Sequence, residues 1–497
     1  MQNQTRLRFP QAEALRLIPE AMARKYTAIP LEVTGNMLHV AMADPRDIFA
    51  LEALATQSQM RIESEPASQQ EIQEAIDFNY RSYDEIEKQI LNISPNGETA
   101  GKQIKIDTST DTPVAKVLRL VIDEAVKARA SDIHIQPRED NIRVRYRIDG
   151  TLHDMFSLPL DTAAPLISRI KVLANMNIAD HHRSQDGHFA VETNGRLIDI
   201  RVGTTSTVYG EMAALRLLDK SRASMTLQEL GFLPESLEVY QNMLKVPYGM
   251  ILVSGPTGAG KTTTLYASIN CLDSIGKNII TVEDPVEYRF RNINQIQINP
   301  RAGITFSAEL RAILRFDPDV ILVGEIRDAE TARIVVQAAL TGHVVLSSIH
   351  ANDAVGVMLR LIDLGVEPFL VSSALIGVVA QRMVRHVCPE CAGPVSAPLI
   401  ERVTYCREMG EERSEFLTGR GCKTCAQTGY LGRTGIFEIL RLSDELRLMV
   451  LNGASLAQLR AQAIKDGMIP LMKDGMTKVK AGMTTPSEVL RKAYTTE

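Results

Sequence analysis

The chain has 497 residues, which at roughly 150 residues per domain implies about three domains rather than one core. Hydrophobic residues make up 45% and charged residues 23%, with 31 Gly and 22 Pro, so disordered and fibrous classes are excluded. Lys plus Arg number 55 against 60 Asp plus Glu, and the net charge of -5 argues against a chain devoted to coating nucleic acid.

In chain order, residues 1–10 are polar and lack the apolar core of a signal peptide, which predicts a cytosolic protein. Residues 11–80 read as a small mixed domain. A helical pattern covers 12–26, short strands at 31–33 and 37–42 flank a Gly35-Asn36 turn, and a helix follows Asp44-Pro45 through Leu54. Another helix is expected over 69–80. Residues 92–111, rich in Ser, Thr, Gly, Pro and Asn, read as a linker.

From Thr112, the residues Val117, Leu120, Val121, Ala125 and Val126 share one helical face. Ile142, Val144, Tyr146 and Ile148 then alternate with Arg143, Arg145 and Arg147, the period of a half-buried strand. Asn194-Gly195 is the expected turn of a hairpin between 188–192 and 197–202. Beyond Leu227, apolar strands at 250–254, 278–283, 320–323 and 344–348 alternate with helices, the pattern of a parallel sheet covered on both faces. The longest nearly apolar stretch, 368–380, is well short of the ~20 residues that cross a bilayer.

Residues 255–262 read G-P-T-G-A-G-K-T, directly after the strand ending at Ser254 and before a helical stretch expected over 263–273. That context makes the segment a P-loop. Gly255, Gly258 and Gly260 let backbone N–H groups turn inward around phosphate oxygens, and the helix N-terminus adds partial positive charge. Gly255, Pro256, Thr257, Gly258, Ala259, Gly260, Lys261, Thr262 and Thr263 form the candidate ATP-binding set, with Lys261 on the outer phosphates and Thr262 on Mg²⁺.

Hydrolysis also needs carboxylates, and two stand at strand ends. The run D-P-D-V-I-L-V-G-E at 317–325 has the shape of a Walker B segment, but Gly324 occupies the usual aspartate position and Glu325 must serve. The run N-I-I-T-V-E-D-P at 278–285 delivers Glu283 and Asp284 off a buried strand, where open α/β sheets place their chemistry. His343 and His350 bracket one strand, His350 at its carboxyl end, and a neutral His350 can sense a γ-phosphate by hydrogen bonding.

Six cysteines in 497 residues of a protein expected in a reducing compartment are not a disulfide framework. Cys388, Cys391, Cys422 and Cys425 form two C-x-x-C pairs that fit two knuckles folding onto one tetrahedral Zn²⁺. Cys271 and Cys406 lack such spacing and read as ordinary core residues. The stripe Arg143, Arg145, Arg147 reads first as a solvated face. Nothing in the spacing of Arg201 and Arg216 singles them out.

Together these motifs resemble the secretion and type IV pilus assembly ATPases. Besides the P-loop, the match includes T-V-E-D-P-V-E-Y at 281–288, D-P-D-V-I-L-V-G-E-I-R-D at 317–328 and T-G-H-V-V-L-S-S-I-H-A-N-D at 341–353. It extends to S-D-I-H-I-Q-P at 131–137, V-R-Y-R-I-D-G at 144–150 and G-E-M-A-A-L-R-L-L-D at 210–219. The resemblance implies an α/β protein with a RecA-like parallel-sheet ATPase domain (221–385), preceded by a PAS-like α+β domain (112–220) and a small N-terminal α+β recruitment domain (1–91) joined by the linker 92–111. A four-cysteine zinc element (386–430), as in assembly and type II secretion members, and a helical region (431–497) follow.

By the same resemblance Glu283 activates water, Glu325 is the Walker B carboxylate, and Arg201 and Arg216 close on the phosphates when the second domain swings in. Both histidine-bearing ends, His343 and His350, are then phosphate-proximal. The resemblance also implies a homo-hexamer that is cytoplasmic and peripheral to the inner membrane. Its domain rotation drives an inner-membrane platform protein that builds a pilus or pseudopilus, while a membrane recruiter docks on the N-terminal domain. Gln136 and Ala351 depart from the family pattern and receive no role. The N-terminal region, with A-M-A-D-P-R-D at 41–47, resembles only the second half of the family's larger module, which favours partner docking over a nucleotide second-messenger site.

A nucleic-acid motor of the same P-loop class is the rival reading; net charge -5 and 5% aromatic residues disfavour a strand-stacking channel, so no nucleic-acid partner is expected. A nucleotide-gated scaffold is the third, and the presence of both Glu283 and Glu325 speaks against it.

Overall fold

The computed structural model describes residues 10, 12–69, 72–73, 75–76, 80, 112–193, 195–219, 225–272, 275–422, 424–425 and 428–493. The expected linker at 92–111, half of the residues of the 69–80 helix and the turn residue Asn194 lie outside them. Backbone packing divides the chain into two compact units, one of residues 1–220 with 388–392 and 419–431, the other of 221–387, 393–418 and 432–497. Among the described residues no helix is long and apolar enough to cross a membrane.

In the first unit, the single helix expected over 12–26 is two, α1 (Ala12–Leu17) and α2 (Glu20–Lys25). Pro19 stands between them in extended conformation, and its ring nitrogen has no N–H to continue the ladder. β1 (Ala28–Thr34) and β2 (Met37–Met42) form the expected antiparallel pair. α3 (Ile48–Ser58) starts at Asp47, whose carboxylate accepts the Ala50 N–H at 3.1 Å. β3 (Arg61–Pro66) then pairs parallel to β2. The sequence reading missed β3 because it offers only Ile62 as an apolar residue and lies half exposed at the sheet edge.

α4 (Pro113–Lys127) is capped by the Thr112 hydroxyl and carries Pro113 in its first turn. Behind it stand β4 (Ala130–Pro137), β5 (Asn141–Ile148) and β6 (Thr151–Pro159). α5 (Ala163–Leu173) follows, then β7 (Gln185–Thr193), β8 (Arg196–Thr207) and β9 (Gly210–Asp219). The six strands make one antiparallel sheet in the order β6-β5-β4-β9-β8-β7. Ile142, Val144, Tyr146 and Ile148 are buried in one cluster with Val117, Val121 and Ile170 of the two helices, as the alternation predicts. The buried Tyr146 hydroxyl donates to the Val121 carbonyl, so it is not left unsatisfied.

The second unit is doubly wound. It begins with α6 (Pro234–Leu244), β10 (Gly249–Ser254), α7 (Lys261–Asn270), β11 (Ile279–Glu283), β12 (Asn294–Gln297) and α8 (Phe306–Ile313). It continues with β13 (Val320–Val323), α9 (Ala329–Leu340), β14 (Val344–Ile349), α10 (Ala354–Asp363), α11 (Pro368–Ala374) and β15 (Leu375–Val387). The nearly apolar stretch at 368–380 thus becomes a short helix and a strand. The sheet order is β12-β11-β13-β14-β10-β15-β18, where β18 is Tyr430–Arg441. Strands β12 to β15 in that order are mutually parallel.

Burial on both faces is visible residue by residue: Met250 and Leu252 pack into one cluster, Ile251 and Val253 into another. This is why these strands read as continuous apolar runs.

β16 (Ala392–Ser396) and β17 (Glu415–Gly419) pair around α12 (Leu399–Met409), and α13 (Asp444–Leu451), α14 (Leu456–Lys465), α15 (Leu471–Lys480) and α16 (Pro486–Ala493) follow β18. The region expected to be helical from 431 therefore opens with a strand of the ATPase sheet. Its outer backbone groups are met by α15: Asp474 accepts the Phe437 N–H at 3.2 Å and Lys478 donates to the Gly435 carbonyl at 2.7 Å. Cys271 is exposed just beyond α7 and Cys406 half-buried on α12, so neither is the core residue the spacing suggested.

α16 is fastened to β15 by Glu488, 3% exposed and 2.6 Å from Arg385, with Arg491 as a second cation. Burial pushes the Glu488 carboxyl up, but the hydrogen bond and charge of Arg385 and the charge of Arg491 outweigh it and hold the pKa below its ordinary 4.5. A depressed carboxyl contributes stability that is full above 4.5 and is lost as pH falls through the folded value. Glu488→Gln is expected to lose about 1–3 kcal/mol at pH 7 by denaturant melting, with the gap to the parent protein narrowing below pH 4.5.

Candidate functional site

β10 hands directly into the glycine-rich loop and α7. Gly255 has φ of 152°, and a Cβ there would lie 2.5 Å from the Gln381 carbonyl oxygen, so the loop can start only with glycine. Gly260, at φ 89°, is the N-cap of α7. The Ala259 N–H closes on the Pro256 carbonyl at 3.2 Å, and Lys261 and Thr262 open the helix, where free N–H groups and the macrodipole favour an anion. The expected helix start at 263 is thus two residues late.

Lys261 Nζ folds over the loop, 2.7 Å from the Gly255 carbonyl and 3.2 Å from that of Pro256. Burial lowers its pKa; Glu325 pulls it back up and Arg382 lowers it again.

Glu325 follows β13 on a turn pinned by its neighbours. Gly324 N–H donates to Val282 at 2.8 Å, Ser348 Oγ donates to the Gly324 carbonyl at 2.8 Å, and Ile326 N–H donates to Ser348 at 2.9 Å. Its carboxylate pairs with Arg327, and His350 Nε2 lies 3.8 Å away. Burial first, then Lys261, lowers the His350 pKa; Glu325 opposes this, Arg327 adds to it, and the Gly255 backbone opposes it. The ring is therefore neutral at pH 7. The strand ends thus bring Lys261, Glu325, Arg327 and His350 into one electrostatic group.

Glu283 sits differently. It is the last residue of β11 and only 3% exposed. One carboxylate oxygen accepts from Thr281 Oγ1 at 2.6 Å and Gln295 Nε2 at 3.2 Å, and the other accepts from the Tyr266 hydroxyl. Both oxygens are engaged by protein donors; its neighbour Asp284 is the exposed one, 4.0 Å from Arg327. His343 departs from its expected place near the phosphates. It precedes β14, at the end opposite His350, with Nδ1 2.9 Å from the Ala338 carbonyl at the end of α9.

Residues the sequence reading passed over complete the site. Gln381 and Arg382, near the middle of β15, touch the loop and the segment after His350; they are the first polar residues after the apolar run 374–380, a signal that was available. Tyr266 lies inside α7 with no marker of its contact to Glu283.

Arg201 and Arg216 belong to the other unit, as register partners on β8 and β9. Arg216 Nε donates to Asp132 Oδ1 at 3.0 Å. On the same sheet Arg143 pairs with Asp154, Arg145 donates to Gln136 at 2.7 Å, and Arg147 lies 3.7 Å from Asp132. The stripe is half-buried and paired rather than freely solvated.

The sulfurs of Cys388, Cys391, Cys422 and Cys425 all lie within 4.8 Å of one another. Separations of 3.8, 3.9 and 3.7 Å for 388–422, 391–425 and 422–425 match the edge of a tetrahedron whose centre-to-sulfur length is about 2.3 Å. Gly421 N–H donates to Cys391 Sγ, and Cys422 and Gly429 N–H to Cys425 Sγ, at 3.1–3.3 Å. Burial pushes the Cys388 thiol up to about 11 and Cys391 higher, a cost that a bound divalent ion reverses. The donor set fits zinc.

Residues 107–491 match the family described as Type II/IV secretion system protein, and residues 8–85 match the MshEN domain. The chain is 39% identical over 489 residues, 97% of its length and 86% of the relative's, to the type IV pilus assembly ATPase PilB of Myxococcus xanthus. It is 46% identical over 388 residues, 78% of each chain, to the type II secretion system protein HxcR of Pseudomonas aeruginosa. The crystal structure of the pilus retraction motor PilT with bound ADP superposes with a TM-score of 0.51 at 25% identity over 75% of this chain and 95% of that one. The ATPase DotB of Legionella pneumophila shares the fold, with a TM-score of 0.57 at 18% identity over 80% of this chain and 98% of that one. With the glycine-rich loop, an acid and a histidine converging on one edge of a RecA-like sheet, the chain belongs to the type II/IV secretion system protein family, as an ATPase of the kind that serves type II secretion or type IV pilus assembly.

Proposed function

We propose that the chain works as a cytoplasmic homo-hexamer, peripheral to the inner membrane, that hydrolyses Mg-ATP and uses the resulting rotation of its units to drive assembly of a pilus or pseudopilus. The observation that carries this reading is the convergence of Lys261, Glu325 and His350 at the carboxyl ends of β10, β13 and β14.

Lys261 leaves the loop carbonyls to neutralise the outer phosphates, while the loop amides and the α7 N-terminus hold the inner ones. Mg²⁺, which the Thr262 hydroxyl and Glu325 are suited to hold, supplies charge neutralisation on the phosphate oxygens. Neutral His350 donates a hydrogen bond toward the γ-phosphate. Glu325 is the acid we assign to the phosphate end. Glu283 takes the water-activating role only when Tyr266 and Gln295 release it. Arg201 and Arg216 act as cations that close on the phosphates when their unit swings in, a device worth on the order of 10³–10⁵ in rate elsewhere. An inner-membrane platform protein receives the motion, and the MshEN-like N-terminal domain takes a membrane recruiter. The four thiolates hold a closed structural Zn²⁺, with no open position for catalysis.

ATPase assays with a cytoplasmic fragment of a platform protein or with single-stranded DNA test the partner; stimulation by the fragment is expected, and stimulation by DNA overturns the reading in favour of a nucleic-acid motor. Lys261→Ala is expected to lose ATP binding in a filter assay and turnover together, with circular dichroism unchanged. Glu325→Gln is expected to keep ATP binding and lose turnover by about 100-fold or more. Normal hydrolysis by either variant removes the assignment. Cys388→Ser is expected to fall from about one zinc per chain to none by elemental analysis and to melt lower, since ligation contributes folding energy directly.

A further inference from the structure

β15 touches the phosphate cradle at both of its ends. Ser254, the last residue of β10, is in register with Ala380. The next residue, Gln381, is 1% exposed, and its amide spans two parts of the loop. Nε2 donates to the Ala259 carbonyl at 2.6 Å, and Oε1 accepts from Thr264 Oγ1 on α7 at 2.8 Å. Its backbone carbonyl is the atom that a Cβ at Gly255 would strike.

Arg382, also buried, donates through one guanidinium nitrogen to the Gln381 carbonyl at 3.0 Å and through the other to the Asn352 carbonyl, in the segment that follows His350. The same segment is held from β10 by Ser254 Oγ, which donates to the Ala351 carbonyl at 2.9 Å.

We propose that Gln381 and Arg382 are positioning residues for the ATPase reaction: Gln381 sets the shape of the 255–262 loop, and Arg382 sets the position of His350 relative to that loop. A buried amide with both ends engaged costs its desolvation if either partner moves, so the Gln381 bridge resists any loop shape other than this one. A planar guanidinium that grips two carbonyls from different segments fixes their separation in a way an ammonium cannot. The two residues therefore act on different quantities, ground-state phosphate binding for Gln381 and the γ-phosphate end for Arg382. The proposal rests on the reading of residues 255–262 as the ATP cradle.

The test is steady-state ATPase kinetics on the full chain, with thermal melting alongside. Gln381→Met keeps the volume and removes both hydrogen bonds; KM for ATP is expected to rise about tenfold with kcat within about twofold. Thr264→Val removes one of the two bonds and is expected to raise KM less, and the double variant no more than Gln381→Met alone. Arg382→Lys keeps the charge but loses the two-carbonyl grip, and is expected to lower kcat about tenfold with KM little changed. Two results overturn the proposal: kinetics that match the parent protein, or KM and kcat that change only in proportion to a loss of folded material. If Lys261→Ala also hydrolyses ATP normally, the cradle reading fails as well; if that variant is dead while Gln381→Met and Arg382→Lys match the parent protein, only the present inference fails.

Discussion

The nucleotide site depends on the parallel registry of neighbouring strands that end together. Ser254 lies opposite Ile349 on one side and Ala380 on the other, and Val323 lies opposite Ser347. Because parallel strands keep their carboxyl ends on one edge, the loop after β10, the acid after β13 and the histidine after β14 must meet there. A shift of one residue in any of these pairings would turn an inward side chain outward and dissolve the site. Apolar residues on both faces of each strand make such a shift costly, so the same burial that stabilises the sheet also fixes the spacing of the chemistry.

Within that frame the charges are arranged in opposition. Lys261 and Arg327 are both within reach of Glu325, and the nearby cations together with burial keep His350 neutral. A neutral imidazole can donate to a phosphate without demanding a counter-charge when the phosphate leaves. Glu283 is held apart by three hydroxyl and amide donors, among them the Tyr266 hydroxyl, which also accepts the Glu287 N–H at 3.2 Å. That links the E-D-P-V-E segment to α7, the helix that begins at the cradle, so a movement of α7 is felt at Glu283.

The four-cysteine cluster and the C-terminal helices solve different problems of stability. The first gathers short segments with few apolar residues around four sulfurs suited to hold a zinc ion, which would there take the place of a core. The second completes the edge of the ATPase sheet, where Asp474 and Lys478 meet backbone groups of β18, and Glu438 accepts the N–H groups of Ala354 and Leu471. The buried carboxyl of Glu438 is raised by desolvation and by Asp353, while the two amide donors and Arg460 pull it down. It ties α10, which follows the His350 segment, to the start of α15.

Local sequence determined those features whose causes are local: the glycine-rich turn between an apolar strand and a helix, the alternation that marked β5, the four buried strands, and two cysteine pairs at knuckle spacing. Each rests on a few consecutive residues whose backbone or ligand chemistry has few alternatives. The tertiary structure alone decided what depends on distant partners. It made strands of the charged β3 and of β18. It also buried Glu283 beneath Tyr266 and brought Gln381 and Arg382 onto the cradle. In these cases the deciding atom belongs to another element, or the deciding energy is burial against it; the polar pair after the apolar run 374–380 marked Gln381 and Arg382 but could not say which loop they meet.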